Sequence, residues 1–169
     1  MKPRHSIAIL ALLGIVGYAV YAGFVRNAPA PEVTFVSIEG ERISTADLRG
    51  RVVLVNFWAT DCAVCIREMP KMVETYNKHR ERGFELIAVA MRYDPPNYVL
   101  SYTRKNALPF KVALDPMGAL AKAFDDVMLT PTTILIDKSG NIVARILGEP
   151  DFADLDRLIA EKLTEGRES

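Results

Sequence analysis

The chain has 169 residues, half of them hydrophobic, and its 21 basic residues balance 21 acidic residues. This length supports one domain with a substantial core, and the zero net charge gives no sign of a nucleic-acid-binding protein. The only two cysteines are separated by two residues, so a separate structural disulfide is excluded.

An uncharged, mostly apolar run extends from Ser6 to Val25, behind a basic tip that contains Lys2 and Arg4. About 20 such residues match the thickness of a bilayer for an α-helix, and the basic tip favours a cytoplasmic N-terminus. Residues 1–26 are therefore predicted to be a transmembrane anchor, with a cleaved signal peptide as the alternative. Either way, the rest of the chain is exported. Residues 27–32, rich in alanine and proline, are predicted to be a short linker.

Strands alternate with helices along the rest of the chain. Strands are predicted at residues 33–38, 52–58, 84–90, 110–114, 133–136 and 141–147, and helices at 44–48, 63–82, 95–106, 115–124 and 151–163. The first of these helices is a single turn, and the last two strands form a hairpin across Asp137–Gly140. This alternation predicts one α/β domain at residues 33–165, with a mixed central sheet and helices on both faces.

The segment from Arg51 to Pro70 combines an apolar strand, a short polar turn and the start of a helix. The strand ends at Trp58, and Cys62 and Cys65 follow at the mouth of the helix. Unpaired backbone N–H groups at a helix start favour an anion, so a thiolate there gains nucleophilicity at neutral pH. Two cysteines about one helical turn apart are close enough to form a disulfide. We therefore assign Cys62 as the attacking thiolate and Cys65 as the resolving thiol.

Three other roles fit this pair of cysteines less well. A structural disulfide over so few residues would remove little entropy from the unfolded chain. A zinc site needs four ligands, whereas the chain offers no further cysteine and only His5 and His79. A copper site lacks partners in the same way. A Cys-x-x-Cys beside alternating strands and helices is typical of a redox pair, so we expect neither a metal nor an organic cofactor.

Four sequence features together resemble the thioredoxin fold. They are Phe57-Trp58-Ala59, the Cys62-x-x-Cys65 pair, Glu68-Met69-Pro70 and Thr130-Pro131-Thr132-Thr133. More narrowly, they resemble the TlpA/ResA-like group of membrane-anchored periplasmic thiol–disulfide oxidoreductases. The resemblance covers roughly residues 33–163. It implies a thioredoxin-like domain that faces the periplasm from the inner membrane.

The resemblance also implies further site residues. Pro131 is expected to follow a cis peptide bond and to face the cysteines, so that the backbone of Thr130 can pair with an extended substrate segment. Trp58 is assigned to the same substrate-binding surface. Asp94 falls where the family has an acidic residue near the site. There it would accept the proton of Cys65, or else cap the helix that follows it.

The sequence departs from the family pattern in three respects. Asp61 stands where an aromatic residue usually precedes the first cysteine, and a carboxylate there disfavours a thiolate. The intervening pair, Ala63-Val64, lacks the proline often found between the cysteines. Asn56 replaces the buried carboxylate of thioredoxin and cannot carry a proton, which favours Asp94 for that step.

The leading functional hypothesis is a periplasmic reductase of protein disulfides, which a membrane thiol reductant returns to the reduced state. By resemblance, its substrates would be apocytochrome c, in cytochrome c biogenesis, or a metallochaperone. Three alternatives remain open: an oxidase that donates its disulfide, a peroxiredoxin-like peroxidase, and a copper-delivery module that uses Cys62 and Cys65. The reduction potential distinguishes reductase from oxidase, peroxide consumption identifies a peroxidase, and the affinity for Cu(I) tests the third alternative.

Overall fold

The computed structural model describes residues 28–165, in which strands and helices alternate as the sequence predicts. The strands are β1 (Thr34–Val36), β2 (Arg42–Ser44), β3 (Val52–Trp58), β4 (Phe84–Ala90), β5 (Lys111–Leu114), β6 (Thr132–Ile136) and β7 (Ile142–Leu147). The helices are α1 (Ala63–His79), α2 (Pro96–Lys105), α3 (Ala119–Ala123) and α4 (Phe152–Thr164). A short 3-10 helix, Arg80–Arg82, follows α1.

Strand β3 lies at the centre of a mixed sheet with the order β5-β4-β3-β6-β7. It pairs in parallel with β4 and antiparallel with β6. All seven of its residues are buried, as expected for a strand covered on both faces of a sheet. Because β3 and β4 run in parallel, the turns that follow them lie at the same edge of the sheet. The backbone N–H of Met91 donates to Trp58 O there, at 3.0 Å.

Alternate residues of β3 face two separate cores. Even-numbered residues face α1, α2 and α4; they include Val52, Leu54 and Trp58. Odd-numbered residues face α3 and β1; they include Val53, Val55 and Phe57. Helices therefore cover both faces of the sheet, and the predicted mixed α/β architecture is confirmed. The same alternation directs the side chain of Asn56 towards α1.

Residues 28–31, expected to be part of a linker, instead lie against the domain. Pro29 forms an isolated antiparallel bridge with Asn141, next to the start of β7. The Ala30 N–H donates to Gly140 O at 2.9 Å, and the side chain of Ala30 is buried. This segment therefore covers one end of an outer strand.

The predicted anchor, residues 1–26, lies outside the described residues and stays a prediction. Within residues 28–165, no helix has both the length and the apolar character needed to cross a membrane.

Two short elements differ from the sequence prediction. Residues 45–50 form turns rather than a helical turn, because their backbone hydrogen bonds join residues three apart, such as the Arg49 N–H to Ala46 O. The predicted cap is present, since the Ser44 hydroxyl oxygen accepts from the Asp47 N–H at 3.1 Å. Helix α3 begins at Ala119 rather than at residue 115. The side chain of Asp115 instead accepts from two backbone N–H groups in the first turn of α3 and so caps this helix from upstream.

Candidate active site

Cys62 and Cys65 lie at the N-terminus of α1 and are joined in a disulfide, with their Cα atoms 5.3 Å apart. Cys62 is the N-cap residue, and its sulfur accepts a hydrogen bond from the Cys65 N–H at 3.2 Å. Cys62 is half-buried, whereas Cys65 has no exposed surface. The sulfur of Cys62 is therefore the one that a substrate can reach. After reduction, the helix N-terminus would stabilise its thiolate.

The Pro131 loop, residues 128–131, lies at the same edge of the sheet as the cysteines. It leads into β6, whose first residue, Thr132, pairs with Phe57 near the end of β3. The peptide bond between Thr130 and Pro131 is cis, as the family resemblance implied. Pro131 O accepts a hydrogen bond from the Gly148 N–H at 2.8 Å. This contact ties the loop to the end of β7.

Glu68 occupies the buried face of α1, three residues after Cys65, and has no exposed surface. Its Oε1 accepts a hydrogen bond from Asn56 Nδ2 at 3.1 Å, and the same amide donates to Thr133 Oγ1 at 3.0 Å. Asn56 therefore uses both amide hydrogens and connects α1 to β6 across β3. Residues three apart on a helix are neighbours, so the carboxyl of Glu68 lies next to the turn that carries Cys65.

Burial raises the pKa of the Glu68 carboxyl to about 7, because the ionised form loses its hydration. The Asn56 hydrogen bond and the charge of Arg67 oppose this rise in pKa, whereas the charge of Glu149 adds to it. Glu68 Oε2 is buried and has no hydrogen-bond partner within the described part of the chain. A carboxyl whose pKa is near neutrality can take up or release a proton at physiological pH.

Sequence reasoning used Glu68 only as part of a family signature and missed it as a functional residue. A signal for it was present in the pattern of α1, whose buried stripe contains Cys65, Met69 and Met72. An acidic residue within such an apolar stripe faces the core, where its pKa rises. The carboxyl group absent at Asn56 is thus supplied from the facing helix, and Asn56 binds it.

Asp94 is buried and holds the turn that precedes the cysteines. Its two oxygens accept from the Thr60 N–H and the Thr60 hydroxyl, both at 2.6 Å. It does not cap the following helix, because the N-cap of α2 is Pro95, without a side-chain hydrogen bond. Among residues 28–165, no hydrogen bond joins Asp94 to either cysteine. The structure therefore shows Asp94 in a positioning contact, and its role as the proton acceptor of Cys65 stays a prediction.

Trp58, expected on the substrate-binding surface, is instead fully buried. Its ring packs against Tyr102 of α2, with the ring centroids 5.3 Å apart. The indole offers no exposed surface for a substrate to contact, so it supports the cysteine turn from the core. The sequence does not distinguish these two locations, because Trp58 ends a buried strand only four residues before Cys62.

A metal ion has no obvious site in this part of the protein. Within the range 28–165, no cluster of three or more His, Cys, Asp or Glu side chains is placed to hold one. The start of the first helix instead carries an accessible sulfur, a buried sulfur and, three residues later, a buried carboxyl. Together they can carry out thiol–disulfide exchange.

Comparisons with known proteins agree with this chemistry. A Redoxin family model matches residues 26–159. The chain is 34% identical over 165 residues to the thiol-disulfide oxidoreductase ResA of Bacillus thuringiensis, with 94% of each chain covered. ResA of Geobacillus kaustophilus is 32% identical over 160 residues, covering 90% of this chain and 91% of that protein.

Solved structures agree with the fold. The crystal structure of a thiol:disulfide interchange protein of the thioredoxin family from Chlorobium tepidum superimposes with a TM-score of 0.74. Its sequence is 31% identical, and the match covers 82% of this chain and 97% of that one. The predicted thioredoxin-like fold is confirmed. The chain belongs to the Redoxin family and, within it, to the ResA-like thiol–disulfide oxidoreductases.

Proposed function

We propose that this chain reduces disulfides of exported proteins in the periplasm, where residues 1–26 hold it at the inner membrane. One observation carries the proposal: an accessible Cys62 is joined to a buried Cys65 at the start of α1, next to the buried carboxyl of Glu68. This arrangement supplies a nucleophile, a resolving thiol and a proton acceptor on the first two turns of one helix.

The reaction begins from the reduced pair of cysteines. The Cys62 thiolate attacks one sulfur of a substrate disulfide, forms a mixed disulfide and releases the other substrate sulfur as a thiolate. Cys65 then gives its proton to Glu68 and attacks the Cys62 sulfur, which breaks the bond to the substrate. The substrate leaves as a dithiol after protonation, and two electrons have passed to it from the protein, whose cysteines are now a disulfide.

Glu68 serves both halves of the cycle in this proposal. A group with a pKa near 7 is about half ionised at neutral pH, so it can accept a proton as readily as donate one. When a membrane thiol reductant reopens the Cys62–Cys65 disulfide, the protonated Glu68 returns its proton to Cys65. The buried side of the site therefore carries the charge of the Glu68 carboxylate in the reduced protein and is neutral in the oxidised protein.

The substrates proposed here are apocytochrome c, in cytochrome c biogenesis, or a metallochaperone. Both need free thiols before they bind haem or metal, and the periplasm is an oxidising compartment. A dedicated reductase there would keep these thiols in the reduced form. The resemblance to the TlpA/ResA-like group supports this choice of substrates.

Insulin-disulfide reduction and the reduction potential test the proposal with the full-length protein. We expect insulin reduction that Cys62→Ser abolishes, while Cys65→Ser accumulates a mixed disulfide because the resolving thiol is gone. We expect a potential nearer to thioredoxin, about −270 mV, than to the oxidant DsbA, about −120 mV. Full activity of Cys62→Ser would overturn the mechanism, and a potential near that of DsbA would reverse the direction to an oxidase.

A further inference from the structure

Exposed apolar side chains lie in the Pro131 loop and next to it. Met128 and Leu129 lie in the loop itself and are 80% and 61% exposed. Leu147, which is also exposed, pairs with Thr132 directly after the loop. Apolar side chains held in water cost free energy, and contiguous exposed patches of them mark interaction surfaces. These residues therefore indicate a contact surface next to the cysteines.

A groove of about 500 Å³ adjoins this surface. Three segments form its walls: the chain after β4, the start of α3 and the approach to the Pro131 loop, which together contribute Met91–Tyr93, Met117, Gly118, Ala121, Lys122 and Asp126–Met128. We call it the methionine groove, because three of its ten lining residues are methionines. Met117 is 84% exposed, so packing within the described domain does not account for it.

Tyr93 joins the methionine groove to the Pro131 loop. Its hydroxyl oxygen lies 3.2 Å from Thr130 Oγ1, and the two groups form a hydrogen bond. Met128 also lines the groove and lies two residues before Thr130 in the chain. The groove therefore lies next to Thr130, within reach of a substrate segment that extends along this residue.

The lining of the groove indicates the chemistry of its occupant. Arg92, Lys122 and Asp126 contribute charges of both signs, so the groove has no strong field to select a charged ligand. Methionine side chains are flexible and polarisable and adapt to apolar groups of different shapes. Pockets that bind small molecules measure about 300–1,000 Å³, so this groove has room for one or two bulky side chains.

We propose that the methionine groove binds an apolar side chain of the substrate polypeptide, close to the cysteine that reacts with Cys62. This inference rests on the proposed function and adds a substrate class to it: polypeptides that carry a bulky apolar residue beside the disulfide. The contact selects among substrates, whereas the cysteines and Glu68 carry out the exchange.

Two disulfide-containing peptides that differ only in one residue beside a cysteine, leucine or serine, test this selection. The full-length protein is reduced beforehand and freed of reductant, and the rate at which thiols form on each peptide gives the second-order rate constant of this single exchange. We expect the wild-type protein to favour the leucine peptide about tenfold, equivalent to about 1.4 kcal/mol, the order expected for partial burial of one leucine.

The double variant Met117→Ser with Met128→Ser should reduce this preference to less than about twofold, mainly by lowering the rate constant for the leucine peptide. The ratio of the two rates is the readout, because any change in cysteine reactivity affects both peptides equally. Val36→Ser is the matched control: Val36 is also an exposed apolar residue, on the β1–β2 hairpin. It should keep the wild-type preference.

The outcomes separate this inference from the proposed function. Equal rates for the two peptides with the wild-type protein, or an unchanged preference in the double serine variant, would overturn the inference. A wild-type dimer that the double variant dissociates would assign the groove to self-association and would also overturn it. Failure of the wild-type protein to reduce a small model disulfide, such as hydroxyethyl disulfide, would overturn the proposed function itself.

Discussion

Replacing Glu68 with glutamine is expected to remove a pH-dependent loss of stability. Burial raises the pKa of this carboxyl from its ordinary value of 4.5 to about 7. Between these pH values the folded protein binds a proton that the unfolded chain releases, so stability falls as the pH rises from about 4.5 to 7 and then levels off. At about 1.4 kcal/mol per pH unit, the loss reaches about 3 kcal/mol at pH 8. The side chain of glutamine does not ionise, so the variant should not show this loss of stability.

Urea unfolding of the oxidised full-length proteins between pH 4 and pH 8 measures this effect. The stability of Glu68→Gln relative to wild type should rise by about 3 kcal/mol across this range, because all other titrating groups are shared and cancel. Glu74→Gln is the matched control, since Glu74 is an exposed glutamate on the same helix. Its difference from wild type should stay constant with pH. A constant difference for Glu68→Gln as well would refute the reasoning from burial.

Three further substitutions test contacts that hold the site and the sheet together. Asp94→Asn should lower the free energy of unfolding by about 2 kcal/mol, measured with urea, because an amide cannot accept both hydrogen bonds from Thr60. His79→Ala should lower it by about 3 kcal/mol, because a buried ring is lost together with its 2.7 Å contact to Asp156. Gly83→Ala should lower Tm, by an amount equivalent to about 1 kcal/mol, because φ is +95° at this residue.

Exposed neighbours provide the controls for these three changes. Three exposed side chains serve as controls. Asp61→Asn is next to Thr60, the partner of Asp94. Asn77→Ala is close in sequence to His79, and Glu81→Ala is close to Gly83. Each should change stability by less than about 0.5 kcal/mol. A control that lost as much stability as its test variant would contradict the contact assigned to that variant.

Strongly patterned elements were predictable from the sequence alone. Strand β4 was predicted at residues 84–90 and is observed there, and α4 agrees to within one residue at each end. Both have purely local signals: a continuous apolar run for a strand buried on two faces and an amphipathic stripe for a surface helix. The short elements β2 and α3 were missed or misplaced, because local side-chain hydrogen bonds decide their boundaries.

Polar contacts in the interior could not be predicted in this way. The hydrogen bond from Asn56 to Thr133 spans 77 residues of sequence, and that from Thr60 to Asp94 spans 34. The apolar stripe of α1 indicates that Glu68 is buried, but its hydrogen bond to Asn56 depends on how the sheet packs on this helix. A single sequence carries no information on which distant groups meet. Asp94 was therefore placed near the site but with a different partner, and Glu68 was overlooked.

The contacts of residues 28–31 determine at which residue the chain can be truncated without exposing the edge of the sheet. A protein that starts at residue 33, the boundary suggested by composition, would lose the backbone hydrogen bond to Gly140 and the buried methyl of Ala30. An outer strand with unpaired amide groups is a template for strands from other molecules. Truncation at that point should promote association between copies, whereas a first residue at or before 28 keeps this end of the edge covered.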